Sequence, residues 1–456
     1  MVSFTHREPG TCAACWQQAG LEQISALEPE KLFNETTSVI VLAAHPDDES
    51  LGAGGLISMA LERGIKVHVI ACSFGEASHP DSKTHTAAQL ASLRKAELAQ
   101  AMDRLQPQGT HAGRLHLHCL GLGDGQLETQ QEQIRAALEQ HAGKGCLIAS
   151  TYRGDGHPDH EILGRIAAAC AAAHGACHLE FPIWYWHWAQ PGRQVGWKHW
   201  HRLALDAASA KAKGRALETH RSQTLPLSDL PGDEVLLGAG FMQHFSQGAE
   251  IFRATWPGHK DAASAPATFD ELYSQREDPW EYRSSRYEQR KQQILLASLP
   301  RERYGAVLEL GCSIGVQSAE LARRCATLLA VDASATALAQ ARDAVASMDH
   351  VTLLQATVPE QFPQLEPGSM ELVVLSEIGY FLAADELDQV LADSANALAA
   401  GGELVLCHWL HPIEGWPLDG EAVHRMASGL GFERIVEHRE ADFVLEILRK
   451  PAGARG

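Results

Sequence analysis

Two short clusters hold most of the chemistry available to this chain. The first, His45-Pro46-Asp47-Asp48-Glu49, sets one imidazole beside three carboxylates. The second, Gly156-His157-Pro158-Asp159-His160, adds two imidazoles and another carboxylate. Such groups are typical ligands of a catalytic zinc, which takes three protein ligands and leaves one position for water. His45 and Asp48 lie three apart behind an apolar run, so both can point into one crevice, and His160 supplies a third ligand. Asp47 is then left beside the metal as the general base for water. His157 shares a helix-start face with His160 and is expected to steady an oxyanion or protonate a leaving amine. Asp159 is expected to orient one of the imidazoles through its second nitrogen.

A further constellation lies downstream. Val307-Leu308-Glu309-Leu310-Gly311-Cys312-Ser313-Ile314-Gly315 reads as an apolar strand entering a glycine-rich turn and then a helix. Glycines there let the backbone approach a cofactor closely. Asp332 ends the next apolar run, where a carboxylate can grip ribose hydroxyls. The expected cofactor contacts are therefore Glu309, Gly311, Gly315 and Asp332. The glycine spacing is not the dinucleotide pattern, which disfavours NAD. Glu377 and His408 fall at the ends of later strands and are expected to bind or deprotonate a substrate amine.

The elements that must position these residues follow from periodicity. Strands are predicted at 38–44, 65–71, 114–119 and 146–150, alternating with helices near 52–63, 84–106, 128–141 and 160–174. The alternation restarts with strands at 306–310, 327–331, 350–354, 371–376 and 403–409, and closes with two short strands near 432–437 and 442–448. Strand–helix alternation implies mostly parallel sheets covered by helices on both faces. The expected fold is α/β, with two Rossmann-like three-layer α/β/α domains. Their predicted bounds are 36–256 and 268–450, with an extension at 1–35 and a Pro/Ala/Gly-containing linker at 257–267. The aromatic run Phe181–Trp188, with Trp197 and Trp200, suits either a packed core or the wall of a sugar-binding pocket.

Composition excludes several classes. The 456 residues carry a formal charge of −19, which argues against nucleic acid as a partner. No apolar run approaches the ~18 residues of a membrane span, so no stable membrane association is expected. Ten scattered cysteines fit reduced thiols and a cytoplasmic location. Cys12 and Cys15 lack a second pair that would complete a zinc site. Nineteen of the 24 histidines fall at or before His259, weighting the chemistry towards the first half.

The paired clusters resemble those of the PIG-L/LmbE family of zinc-dependent N-acetyl deacetylases over about residues 36–255. That resemblance implies zinc, or another divalent metal, on His45, Asp48 and His160, Asp47 as base and His157 as electrostatic catalyst. It also implies a substrate carrying an N-acetylated amino sugar, a small molecule or a glycan, with Asp124 of Gly121–Gly125 on a sugar hydroxyl and Arg94 nearby. Members acting on thiol-glycosides often have a tyrosine two residues before the His157 position, where this chain has Asp155. The Glu-Leu-Gly-Cys-Ser-Ile-Gly motif is similar to class I S-adenosylmethionine methyltransferases. Residues 269–449 resemble the nodulation N-methyltransferases, on Phe269–Tyr273, Asp278-Pro279-Trp280, Arg286-Tyr287, Leu375–Glu377 and Cys407–Trp409. The resemblance implies S-adenosyl-L-methionine as cofactor, and Gln355-Ala356-Thr357 lacks the acidic residue many such enzymes place near adenine. The joint expectation is a bifunctional enzyme that deacylates an amino sugar and then N-methylates the freed amine. The alternative is a small-metabolite deacetylase whose C-terminal domain binds the cofactor as a regulatory module or methylates an unrelated acceptor.

Overall fold

The apolar run before His45 forms a strand inside an eight-stranded sheet, with Val39 through Ala44 wholly buried. A computed structural model describes residues 5, 7–107 and 114–453. It divides the chain into two units, Met1–Gly258 and His259–Gly456. The first contains strands β1 (Ser25–Ala26), β2 (Ser38–Ala43), β3 (Lys66–Ala71), β4 (Leu115–Cys119), β5 (Cys146–Thr151), β6 (Cys177–Phe181), β7 (His201–Ala204) and β8 (Ala249–Thr255). Their order is β1-β7-β8-β6-β5-β2-β3-β4. From β6 to β4 the pairing is parallel, whereas β8 runs antiparallel to both β6 and β7.

The chain leaves β2 for β3 on one side and reaches β5 on the other. A crevice therefore opens beyond the carboxyl ends of β2 and β5, where ligands gather in such sheets. The helix Asp48–Glu62 starts at that end of β2 and is buried from Asp48 to Leu61. A helix apolar all round belongs inside a core, and its small residues allow close packing. A Cβ at Gly52 would fall 2.0 Å from the Phe181 ring. The helix Pro158–His174 follows β5, with His157 at its N-cap and Pro158 in its first turn, where the missing N–H is not needed.

Three expectations change here. Part of the expected N-terminal extension packs on the first unit: β1 joins the sheet through β7, and Trp16 is fully buried against Tyr185, Trp186 and Trp197. The same contacts decide the aromatic run chiefly for core. Cys12 and Cys15 form a disulfide around the first turn of a short helix. The other eight cysteines are free thiols. The linker is shorter than expected, because the helix Ala265–Gln275 begins inside it, with proline in its first turn.

The second unit holds β9 (Tyr304–Leu310), β10 (Cys325–Asp332), β11 (Val351–Gln355), β12 (Met370–Ser376), β13 (Leu398–Trp409), β14 (Glu433–Arg439) and β15 (Phe443–Arg449). Their order is β11-β10-β9-β12-β13-β15-β14. The first five strands are parallel, and β15 is antiparallel to β13 and β14. The switch point here lies between β9 and β12. Both sheets have the expected α/β class.

One buried ion cluster ties the first crevice to its sheet. Glu180 on β6 accepts from the backbone N–H, Nε and Nη2 of Arg153 at 3.0, 2.8 and 2.8 Å, and from Nη1 of Arg253 on β8 at 2.8 Å. Burial alone would raise the Glu180 pKa, but the two guanidinium groups hold it down at about 2. Its stabilising contribution is therefore complete above the ordinary value of 4.5 and is lost as pH falls through about 2. Glu180→Gln leaves two buried cations short of an anion. It should destabilise the first unit by about 3–5 kcal/mol, read as a lower denaturant midpoint near neutral pH that converges with wild type in strong acid.

Candidate active sites

The loops after β2 and β5 bring the first two clusters together. His45 Nδ1 lies 3.2 Å from His160 Nε2. The Asp48 carboxylate flanks both, with Oδ2 3.5 Å from His45 Nδ1 and Oδ1 3.4 Å from His160 Nε2. Ligands bound tetrahedrally at zinc distances stand roughly 3.3 Å apart, so the donor set fits such an ion. All three residues are buried. Burial would lower the His45 pKa, yet Asp124, Asp159 and Asp48 raise it well above its usual value. His160 is likewise raised to about 9, burial being outweighed by Asp48 and Asp155. Asp48, despite burial, is held well below the carboxylate range by His160 and His45. This is the electrostatics of a site built around positive charge.

Asp47 sits at the N-cap of the helix with φ 135°, a conformation that costs energy and persists where the surroundings enforce it. Its Oδ2 lies 3.1 Å from Nη2 of Arg94, and Glu49 Oε2 accepts its backbone N–H at 3.2 Å. Burial raises the Asp47 pKa to about 7 against the pull of Arg94. His157 packs its ring 5.0 Å from that of His45 and 4.6 Å from that of His160. Burial and those two imidazoles depress its pKa to about 3, so it is neutral. Its Nδ1 is buried with no hydrogen-bond partner among the described residues.

The remaining expected residues are nearby but already engaged. Arg94 donates to Gly75 O, Pro46 O and Asp47, and a Cβ at Gly75 would collide with its guanidinium. Arg94 is 3% exposed, so it braces Asp47. Asp124 lies 3.0 Å from His45 Nε2 and accepts from the Ala77 N–H at 2.9 Å. Asp159 accepts from the N–H groups of Gly125 and Leu127 and stands 3.5 Å from His45 Nε2. With His157 and His45 it forms a second set of donors within ligand range. The orienting role expected of Asp159 falls for His160 to Asp155, whose Oδ2 lies 2.6 Å from His160 Nδ1. Asp155 also accepts from the N–H groups of Ile183, Trp184 and Tyr185. Sequence reasoning saw Asp155 only as a missing tyrosine. It missed His220, which reaches Ser50 and Glu49 from a distant turn at 3.0 and 3.6 Å.

In the second unit a cavity of about 630 Å³ opens beyond β9, β10 and β12. Gly311, Asp332 and Glu377 line it, as do Ala356 and Thr357. Gly311 has φ +79°, and a Cβ there would fall 2.1 Å from Ile378. Asp332 accepts from the N–H groups of Ser313 and Ser334 at 2.7 and 2.9 Å. Glu309 is buried behind the turn, accepting from Gln317 and Ser318, and burial raises its pKa to about 7. Gly315 caps the next helix with φ +78° and packs on Ala341.

Glu377, at φ 59°, accepts from Lys291 Nζ at 2.6 Å and from the Tyr380 hydroxyl. Lys291 also reaches Glu288 at 3.0 Å. His408 is not brought to the cavity. It is fully buried, accepts from the Gly379 N–H and faces His424, which in turn meets Glu446. Its place at a strand end was legible, but the direction of its ring was not. Lys291, Glu288 and Tyr380 carried no such signal.

Comparison with known proteins supports both readings. Residues 40–171 match the model of the PIG-L family, GlcNAc-PI de-N-acetylase, and residues 307–402 match that of a methyltransferase domain. The chain joins a PIG-L domain to a methyltransferase domain. The PIG-L domain is 29% identical over 182 residues to the 1D-myo-inositol 2-acetamido-2-deoxy-alpha-D-glucopyranoside deacetylase of Mycobacterium sp. (strain KMS), covering 36% of this chain and 56% of the relative. The methyltransferase domain is 29% identical over 131 residues to nodulation protein S of Rhizobium tropici, covering 28% and 54%. The chain thus spans little more than half the length of these curated relatives. A putative methyltransferase from Pseudomonas syringae of known structure is 38% identical, with 36% of this chain and 99% of that one covered and a TM-score of 0.32.

Asp155 can be tested apart from the expected metal ligands. Asp155→Asn turns the acceptor facing His160 Nδ1 into a weaker partner while keeping its size. Zinc affinity of the full chain, measured by chelator competition, should fall about 10–100-fold. An unchanged affinity would mean that His160 is oriented by its packing alone.

Proposed function

We propose that the PIG-L domain removes an N-acetyl or other N-acyl group from an amino-sugar-containing substrate, and that the methyltransferase domain then methylates the freed amine with S-adenosyl-L-methionine. The observation that carries the first half is the convergence of His45, Asp48 and His160 beside a separately braced Asp47. These three would hold a zinc ion or another divalent cation, which would polarise the acyl oxygen and activate water as a Lewis acid.

The other roles belong to the chain. Asp47 is buried with a pKa of about 7, suited to accepting a proton from water near neutrality. Arg94 fixes its carboxylate, and the Glu49 carboxylate fixes its backbone. His157 is a neutral imidazole at the same crevice and can donate a hydrogen bond to a developing oxyanion. Asp155 holds His160 in one orientation. The amide nitrogen departs as an amine after taking a proton.

Methyl transfer needs the reverse protonation state: a neutral amine aligned with the sulfonium methyl. Asp332 lies where ribose hydroxyls are gripped in such sheets. Gly311 keeps the β9 turn low enough for a cofactor to approach, and aromatic side chains wall the cavity. The coupling of the two halves rests on chemical logic, since the group uncovered by the first reaction is the nucleophile of the second. The names of the relatives support the substrate class, an N-acetylated glucosamine derivative.

Division of roles in the PIG-L domain is open to a direct test. Asp48→Ala and His160→Ala should lose the zinc of this site and deacylation together, while methylation of a supplied amine persists. Asp47→Ala should keep its zinc and lose deacylation by about 100-fold or more. Equal zinc loss in all three variants would refute the assignment.

Coupling needs its own assay. The full chain is incubated with N-acetylglucosamine derivatives, with and without S-adenosylmethionine, and acetate and products are followed by mass spectrometry. Free amine should accumulate without the cofactor and become N-methylated with it. Free amine that persists unmethylated in its presence would count against coupling.

A further inference from the structure

A second group of imidazoles lies at the outer edge of the first sheet and shares no residue with the His45 site. β4 is the last strand there, paired in parallel with β3 so that His68 stands opposite His116 and Ile70 opposite His118. Leu115, Leu117 and Cys119 of β4 pack on the same core as Val67 and Val69 of β3. Strand alternation then turns His68, His116 and His118 to the opposite face. On that face the helix Gln131–Glu139 covers Ile70 through Ile134 and Leu138, and His141 follows its end.

The four rings form a compact set. His141 stacks on His68 at 4.1 Å and lies 4.5 Å from His118. His68 lies 5.1 Å from His116 and 5.3 Å from His118. His68 Nδ1 and His118 Nε2 are 3.0 Å apart. One ligand nitrogen from each of His68, His118 and His141 falls within 4.8 Å of the others. All three rings are half-buried, and His116 is exposed.

Nothing in sheet packing calls for this arrangement. Outward positions on an edge strand suit any polar side chain, and four imidazoles leave lone pairs and ring N–H groups crowded on one surface. A cation that accepts several nitrogens at once resolves that crowding. The set contains imidazole donors only, which selects zinc, nickel or copper over magnesium or calcium.

We propose that His68, His118 and His141 form a second metal site, which takes a divalent transition-metal cation, with His116 adjoining as a fourth imidazole. Such an ion would pin the edge strand β4 to β3 and to the end of the helix Gln131–Glu139, stiffening the unprotected side of the sheet. The site is independent of the deacylation chemistry and stands or falls without it.

The test uses the untagged full chain, stripped with chelator and dialysed against low-micromolar zinc. Metal content by mass spectrometry should be about two per chain, about one in His45→Ala, and about one in His68→Asn/His141→Asn. His45 belongs to both sets of donors in the catalytic crevice, so His45→Ala isolates the edge site. Wild-type chain holding a single zinc that His45→Ala removes would overturn the proposal. A spectroscopic readout guards against misfolding of the double variant. Copper(II) added to His45→Ala should give an electron paramagnetic resonance spectrum with splitting from three or more imidazole nitrogens. A spectrum without that multi-nitrogen splitting would also overturn it.

Discussion

Two imidazole nitrogens facing each other at 3.2 Å beside a shared carboxylate are tolerable only if something holds them there. In the first unit that task is spread over the sheet. His45 is fixed by β2, and its backbone N–H is tied to Asp48 at 2.9 Å. His160 is fixed by the helix after β5 and by Asp155, which is itself gripped by three N–H groups beyond β6. Glu180 then locks the same β5 loop to β6 and β8 through Arg153 and Arg253. These supports come from several strands of one mixed sheet. A loop alone would let the donors drift apart by an ångström, enough to spoil the geometry of a catalytic site.

Adjacent carboxylates with opposite electrostatics follow from that scaffold. Asp48 lies between imidazoles and is held ionised, whereas Asp47 and Glu49 are buried with weaker compensation and rise to about 7 and 8. Three consecutive acidic residues thus occupy distinct roles because the start of a helix turns them in different directions. The positive φ at Asp47 is part of this, for it turns the chain sharply between β2 and the helix. Environments that push neighbouring pKa values apart are how one site obtains both a ligand and a base.

What was legible in the sequence was local. His45 through Asp48 and His157 through His160 could be read because each cluster is contiguous with the strand or helix that carries it, and periodicity reveals those elements. Gly311 and Asp332 were accessible for the same reason. Asp155 was visible but misjudged, since its partners Ile183 to Tyr185 lie about thirty residues on and no local pattern links them. His220 is farther still from Glu49. His408 shows the opposite failure: the strand end was right, yet alternation turned the ring inward towards His424 and Glu446. The disulfide between Cys12 and Cys15 and the role of Trp16 as a core residue depend on how the N-terminal segment folds back, which composition does not encode.

The methyltransferase cavity poses a different constraint for an amine. Lys291, 6% exposed, lies between Glu288 and Glu377, and those carboxylates together with burial set its charge. Glu377 is also tied to Tyr380 and to the Trp409 N–H, so its acceptor capacity is largely met before a substrate arrives. Two carboxylates share that single ammonium, so the lining stays net negative and would attract a protonated amine as well. Only the neutral amine, however, carries the lone pair that methyl transfer needs. Under the proposed methylation the amine must therefore lose its proton before transfer, at the cost of its attraction to these carboxylates.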